Sequence, residues 1–123
     1  MSPRKILIVE DEFIIALDLQ NRLIQFGYEV PDLAFTGEEA IECCQRRHFD
    51  LILMDIVLRG KMDGIETAKL IRNQFNIPVI FLTAHTDVNT LNRTSEVDAF
   101  CYIRKPFNDK ELKIIIETIL REN

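Results

Sequence analysis

Leu51-Ile52-Leu53-Met54-Asp55 is a strand-length run of four apolar residues closed by an acid. A run with no polar alternation reads as a strand buried on both faces, the habit of parallel sheets covered by helices on either side. Its last residue is then presented at the carboxyl edge of the sheet, where open α/β sheets place ligands and chemistry. A second such run, Ile6-Leu7-Ile8-Val9, leads into Glu10, Asp11 and Glu12 before Phe13. Carboxylates gathered at strand ends repel one another, so a positive partner has to justify the arrangement.

Outward from Asp55, apolar runs alternate with helical periods along the whole chain. Strands are expected at residues 5–9, 28–33, 51–55, 79–83 and 100–103, and helices at 13–26, 37–46, 64–75, 88–95 and 109–121. Ile15, Leu19, Leu23 and Phe26 recur at helical spacing, and Gly27 follows as a stop. Thr36 with Glu39, Asp63 with Glu66, and Asn108 with Glu111 each pair a capping residue with an acid three positions on. The segment 88–95 is the least periodic of the helices, because its surroundings are polar. Strand–helix alternation implies right-handed crossovers and a doubly wound, five-stranded parallel sheet in a three-layer α/β/α fold. No linker or low-complexity stretch divides the chain, so one domain over residues 1–123 is expected.

Composition narrows the function classes. Apolar residues make up 47% and charged residues 28%, ordinary for a globular protein with a packed core. A net charge of -5 without a basic stripe argues against direct nucleic-acid binding. No apolar stretch approaches spanning length and Met1-Ser2-Pro3-Arg4-Lys5 leads straight into a strand, so a cytoplasmic protein without membrane contact is expected. Cys43, Cys44 and Cys101 lack any zinc-like spacing and read as free thiols.

In a parallel sheet the carboxyl ends of the strands converge. The first delivers Glu10 and Asp11, the third Asp55, the fourth Thr83-Ala84 and the fifth Lys105-Pro106, while Asp32 and Leu33 of the second lie to one side. Carboxylates in this number suit a hard divalent ion: Mg²⁺, or Mn²⁺ in its place, takes one or two carboxylates, keeps several waters and accepts phosphate oxygens. A hydroxyl and an ammonium complete a cradle for a phosphoryl group, with Asp55 as the nucleophile that becomes an aspartyl phosphate.

Ile6-Leu7-Ile8-Val9-Glu10-Asp11-Glu12, Leu51-Ile52-Leu53-Met54-Asp55, Met62-Asp63-Gly64, Phe81-Leu82-Thr83-Ala84 and Ile103-Arg104-Lys105-Pro106-Phe107 together resemble the receiver domain of two-component response regulators. Each piece alone is weak, but the set stands in order and in register over nearly the whole chain. The resemblance implies a flavodoxin-like (βα)5 fold. It implies that Asp55 takes a phosphoryl group from the phosphohistidine of a sensor histidine kinase. Asp11 would hold the metal directly, Glu10 directly or through water, and Asp55 with the Val57 carbonyl would supply the remaining protein ligands. Thr83 corresponds to the switch hydroxyl, Ala84 to the small residue that gives it room, and Tyr102 to the aromatic residue that turns inward when Thr83 moves. Lys105 corresponds to the family lysine, with the bond to Pro106 in the cis form. Phosphorylation would then shift a population and change the surface formed by the fourth helix, fifth strand and fifth helix for a downstream effector or phosphotransfer protein.

Two departures from the family pattern stand out. The loop Ile56-Val57-Leu58-Arg59-Gly60-Lys61-Met62 is one residue longer than usual and lacks the usual proline, so the Val57 carbonyl is less fixed. His85 and Val57, each two residues beyond a site residue, occupy positions that tune water access to the phosphoryl group in the family.

Rival readings fail on particular residues. A haloacid dehalogenase-like hydrolase needs a second Asp two residues after the nucleophile, where Val57 stands. A flavin carrier needs a hydroxyl-rich phosphate loop after the first strand, and this loop is acidic. A degenerate receiver would lack the acids that are present here. Within the family, a stand-alone regulator, a phosphorelay shuttle and a receiver cut from a longer protein all stay open, as do a monomer and a weak phosphorylation-linked dimer.

His85→Ala is expected to change the rate of autodephosphorylation more than the stability of the fold. Phosphoryl half-life measured beside melting temperature checks this, and an unchanged half-life contradicts it.

Overall fold

The computed structural model describes residues 2–84 and 101–122. Along the chain run β1 (Ile6–Val9), α1 (Phe13–Gln25), β2 (Leu33–Ala34), α2 (Gly37–Arg46), β3 (Leu51–Asp55), α3 (Gly64–Phe75), β4 (Val79–Thr83), β5 (Cys101–Arg104) and a C-terminal helix (Asp109–Glu122). The strands form one parallel sheet in the order β2-β1-β3-β4-β5.

The alternation of side chains across each strand explains why the central runs are apolar throughout. From β1, β3 and β4, the residues Leu7, Val9, Ile52, Met54, Val79 and Phe81 point to one face, where Ala40, Cys43 and Cys44 of α2 and Ile65, Ala68 and Ile71 of α3 cover them. Ile6, Ile8, Leu51, Leu53, Ile80 and Leu82 point to the other face, under Ala16, Leu19 and Leu23 of α1 and Leu112, Ile116 and Leu120 of the C-terminal helix. A fully buried aliphatic side chain contributes roughly 1.5–3 kcal/mol relative to exposure, so the two layers clamp the central strands in one register.

Helix starts follow the capping residues. Thr36 Oγ1 accepts from the Glu39 N–H at 3.1 Å, and Asn108 Oδ1 from the Glu111 N–H at 2.8 Å. Among the described helix starts, only Asp63 with Glu66 closes the full reciprocal box. Glu39 instead reaches back past Thr36 to the Phe35 N–H, at 3.0 Å.

The second strand differs from the sequence expectation of 28–33. Glu29 makes an isolated parallel bridge to Lys5, and regular pairing occurs only at Leu33 with Ile8 and Ala34 with Val9. Pro31 between them has no N–H to give to a ladder, which confines it to an edge or an interruption. Gln20 Nε2 instead holds the Val30 carbonyl at 3.1 Å, and Asp32 turns outward to Arg47 at 2.6 Å. The first strand also starts one residue late and the fifth ends one residue late, within the fraying of strand ends. The expected helix at 88–95, together with Phe100 and His85, lies outside the described residues.

Gly64 is the tightest backbone approach near the carboxyl edge. A Cβ built there would lie 2.0 Å from the Asp55 carbonyl oxygen and 2.9 Å from Ile56 Cα, while its N–H donates to the Ile56 carbonyl at 2.8 Å. The obstacle is backbone and cannot rotate away. Gly64→Ala should therefore destabilise the fold by at least about 1–3 kcal/mol, the usual range for overpacking. Urea denaturation checks this, and an unchanged midpoint would show that the α3 start can shift at no cost.

Candidate functional site

The carboxyl ends of β1, β3 and β4 and the chain leaving β5 surround an open cleft of about 190 Å³, lined by Asp11, Glu12, Asp55, Val57, Arg59, Ala84 and Lys105. Carboxylate oxygens of Glu10, Asp11 and Asp55 lie within 4.8 Å of one another. Glu10 follows β1 directly, and its N–H donates to the Ala34 carbonyl at 3.0 Å, which keeps the chain on the sheet for one more residue. Its side chain is driven inward to 1% exposure. Oε1 accepts the Glu12 N–H at 3.2 Å, whereas Oε2 is buried with no hydrogen-bond donor.

Asp55 ends the central strand and is itself buried. Its Oδ1 accepts the Val57 N–H at 3.1 Å and its Oδ2 the Lys105 ammonium at 3.3 Å. Lys105 is aimed there by its own N–H, which donates to the Thr83 carbonyl at 2.8 Å and carries the β4–β5 pairing one residue past β5. The following Lys105–Pro106 peptide is cis. The same ammonium lies 3.6 Å from Glu10 Oε2, an ion-pair distance too long for a hydrogen bond. Asp11 Oδ2 accepts the Arg59 N–H at 3.2 Å and has Arg59 Nε at 3.6 Å.

Crowding shows in proton affinities. Burial, with the neighbouring Asp55 carboxylate adding to it, pushes the Glu10 carboxyl up to about 8, although Lys105 pulls the other way. Burial alone would lower the Lys105 ammonium, but Asp55 and Glu10 outweigh it and the net direction is upward. Lys105 therefore stays charged while Glu10 holds a proton more readily than an ordinary carboxyl. The thiols take no part: burial, then Cys43, pushes Cys44 up to about 12, and burial also raises Cys43 and Cys101.

Hard oxygens at this spacing fit a small divalent cation, and the undonated, buried Glu10 Oε2 is an acceptor that such an ion would satisfy. Thr83 sits buried at the end of β4, and Ala84 beside it opens onto the cleft. Val57 lines the cleft, with its side chain largely in solvent. Tyr102 lies on β5 and is 39% exposed.

The model of the response regulator receiver domain family matches residues 6–117. The chain belongs to the response regulator receiver domain family. Receiver domains are phosphoacceptors of two-component signalling rather than classical enzymes. This receiver domain is 38% identical over 121 residues to the probable transcriptional regulator ycf27 of Porphyridium aerugineum, covering 98% of this chain and 50% of the relative. It thus spans about half the length of the curated relatives it matches. Among solved structures it resembles the signal receiver domain of a modulated diguanylate cyclase from Desulfovibrio desulfuricans G20, with TM-score 0.91, 36% identity, and 98% and 96% of the two chains covered. It also resembles the receiver domain of the sensor histidine kinase PA1611 from Pseudomonas aeruginosa PAO1, with TM-score 0.87, 30% identity, and 98% and 99% covered. That structure holds a magnesium ion coordinated in its active-site cleft. No helix among the described residues is long and apolar enough to cross a membrane.

Sequence reasoning assigned no role to Arg59. The available signal was the extra loop residue beside Gly60, whose φ of 103° turns the chain just after Arg59.

The raised Glu10 carboxyl has a consequence for the metal-free receiver domain. A carboxyl whose folded-state pKa lies above its unfolded value of about 4.3 contributes stability that is fully present below the unfolded value. That contribution is lost as pH rises through about 8. Glu10→Gln cannot ionise, so in excess chelator its melting temperature should gain on the parent between pH 5 and pH 9. A parent protein that gains on the variant over that range would contradict the assignment.

Proposed function

We propose that the chain acts as a single receiver domain in which Asp55 accepts a phosphoryl group from the phosphohistidine of a sensor histidine kinase. The observation that carries this reading is Asp55 itself: a buried carboxylate with Oδ2 on Lys105, facing two further carboxylates across an open cleft. Lys105 and the Val57 N–H hold the Asp55 carboxylate in one orientation, so that an oxygen can meet phosphorus in line. The new bond joins that oxygen to phosphorus as the phosphorus–nitrogen bond breaks, and the imidazole nitrogen leaves with the electron pair. Asp11, Glu10, Asp55 and the Val57 carbonyl would hold Mg²⁺, or Mn²⁺, which supplies neutralisation of phosphoryl charge when bound.

After transfer, the phosphoryl oxygens offer acceptors to Lys105 and to the Thr83 hydroxyl, with Ala84 leaving room on the cleft side. Movement of Thr83 toward the phosphoryl group opens space behind β4 for Tyr102, whose present exposure leaves it free area to lose. The readout surface would include β5 and the C-terminal helix, for a downstream effector or phosphotransfer protein. His85 and Val57, each two residues from a site residue, would tune the attack of water.

Incubation with Mg²⁺ and acetyl phosphate should add one phosphoryl mass to the protein, and Asp55→Asn should abolish it. Turnover of unrelated phosphoesters without a stable adduct would instead indicate a hydrolase. Millimolar-range Mg²⁺ should raise the melting temperature, because an ion that binds only the native state stabilises it by mass action. Asp11→Ala should remove that response, and a full response in the variant would overturn the ligand assignment.

A further inference from the structure

Arg59 is the cation that the family pattern does not explain. The loop from Ile56 to Met62 leaves β3 with Ile56 buried, Val57 outward and Leu58 packed against the core. The next residue is carried back over the cleft, and Gly60 then turns away with φ 103° toward Thr36 and Glu38. Both ends of the loop are fixed. Val57 N–H holds Asp55 Oδ1 at one end, and at the other the Gly64 N–H reaches the Ile56 carbonyl while Asp63 caps α3. Arg59 is therefore placed on Asp11 by backbone geometry, through its N–H and through Nε, both directed at Oδ2.

We infer that Arg59 is a built-in competitor for the divalent cation: in the metal-free domain its guanidinium stands in for the ion on Asp11, and metal binding has to displace it. The inference rests on the reading of Glu10, Asp11 and Asp55 as a metal site and adds a determinant of that site's affinity. The charge arithmetic supports it. Lys105 serves Asp55 and Glu10, which leaves Asp11 to Arg59 among the described residues. The Arg59 side chain is 81% exposed, so it is free to swing into water and its hold on Asp11 is weak. An exposed ion pair of this kind changes an equilibrium by roughly two- to fivefold. The Arg59 N–H contact belongs to the backbone and is kept in Arg59→Gln. Asp11 thus stays oriented when the guanidinium departs.

Titration calorimetry with Mg²⁺ alone, on the full chain at low ionic strength, tests this with no phosphodonor present. Arg59→Gln should bind Mg²⁺ roughly two- to fivefold more tightly than the parent, with the difference shrinking toward 1 M salt as the pair is screened. Lys61→Gln removes an exposed cation two residues along the same loop and should leave the dissociation constant at the parent value. Equal affinity of the parent and Arg59→Gln overturns the inference and leaves the metal site standing. Equal tightening by Lys61→Gln also overturns it, since overall charge and not the Asp11 contact would then be responsible. Absence of Mg²⁺ binding in all three proteins overturns the metal site and the inference together.

Discussion

Among the described residues, a lone ammonium stands between two buried carboxylates at the carboxyl edge of the sheet, and most features of the site follow from that ratio. Lys105 reaches Asp55 at 3.3 Å and Glu10 at 3.6 Å, while Asp11 looks elsewhere for a cation. In water such crowding would relax by separation. Here the carboxylates are attached to the ends of strands whose both faces are packed, so separation would open the core. The strain is expressed as proton affinity at Glu10 and as a demand for positive charge at the cleft. On the function proposed above, that demand would gather a cation and a phosphoryl group onto Asp55.

The rigidity is uneven across the sheet. β1, β3 and β4 are buried along their whole length, and they carry Glu10, Asp11, Asp55 and Thr83 at their ends. β2 is reduced to two residues at one edge, and β5 at the other edge presents Tyr102 to solvent. The proposed phosphoacceptor site therefore sits on the stiff centre, whereas the residue proposed to report phosphorylation sits on an edge strand. Displacing an edge residue costs less packing than displacing a central one, which suits a surface that has to change.

How far the sequence foretold this depends on whether the signal was local. β1, β3 and β4 were legible because burial on both faces removes polar residues from the run altogether. The helix starts were legible because a capping side chain acts on a backbone N–H only three residues away. The second strand was misjudged because Tyr28 and Val30 continue the apolar pattern while Pro31 denies the ladder a donor. Glu10, Asp11, Asp55, Thr83, Ala84 and Lys105 could be gathered at one edge from topology alone, since each ends or directly follows a strand. The direction of Arg59 depends instead on the φ of Gly60 and on a contact 48 residues away in sequence, which no local pattern encodes.

Gly64 gives the central strand a mechanical property that side-chain packing would not. Backbone rests on backbone where α3 begins, with the Asp55 carbonyl directly beneath the glycine. Side chains between elements act as springs, because rotamers can yield; two main chains in contact have no such slack. The end of β3 and the first turn of α3 therefore behave as one stiff lever. A displacement of the Asp55 main chain would reach α3 with little slack between them.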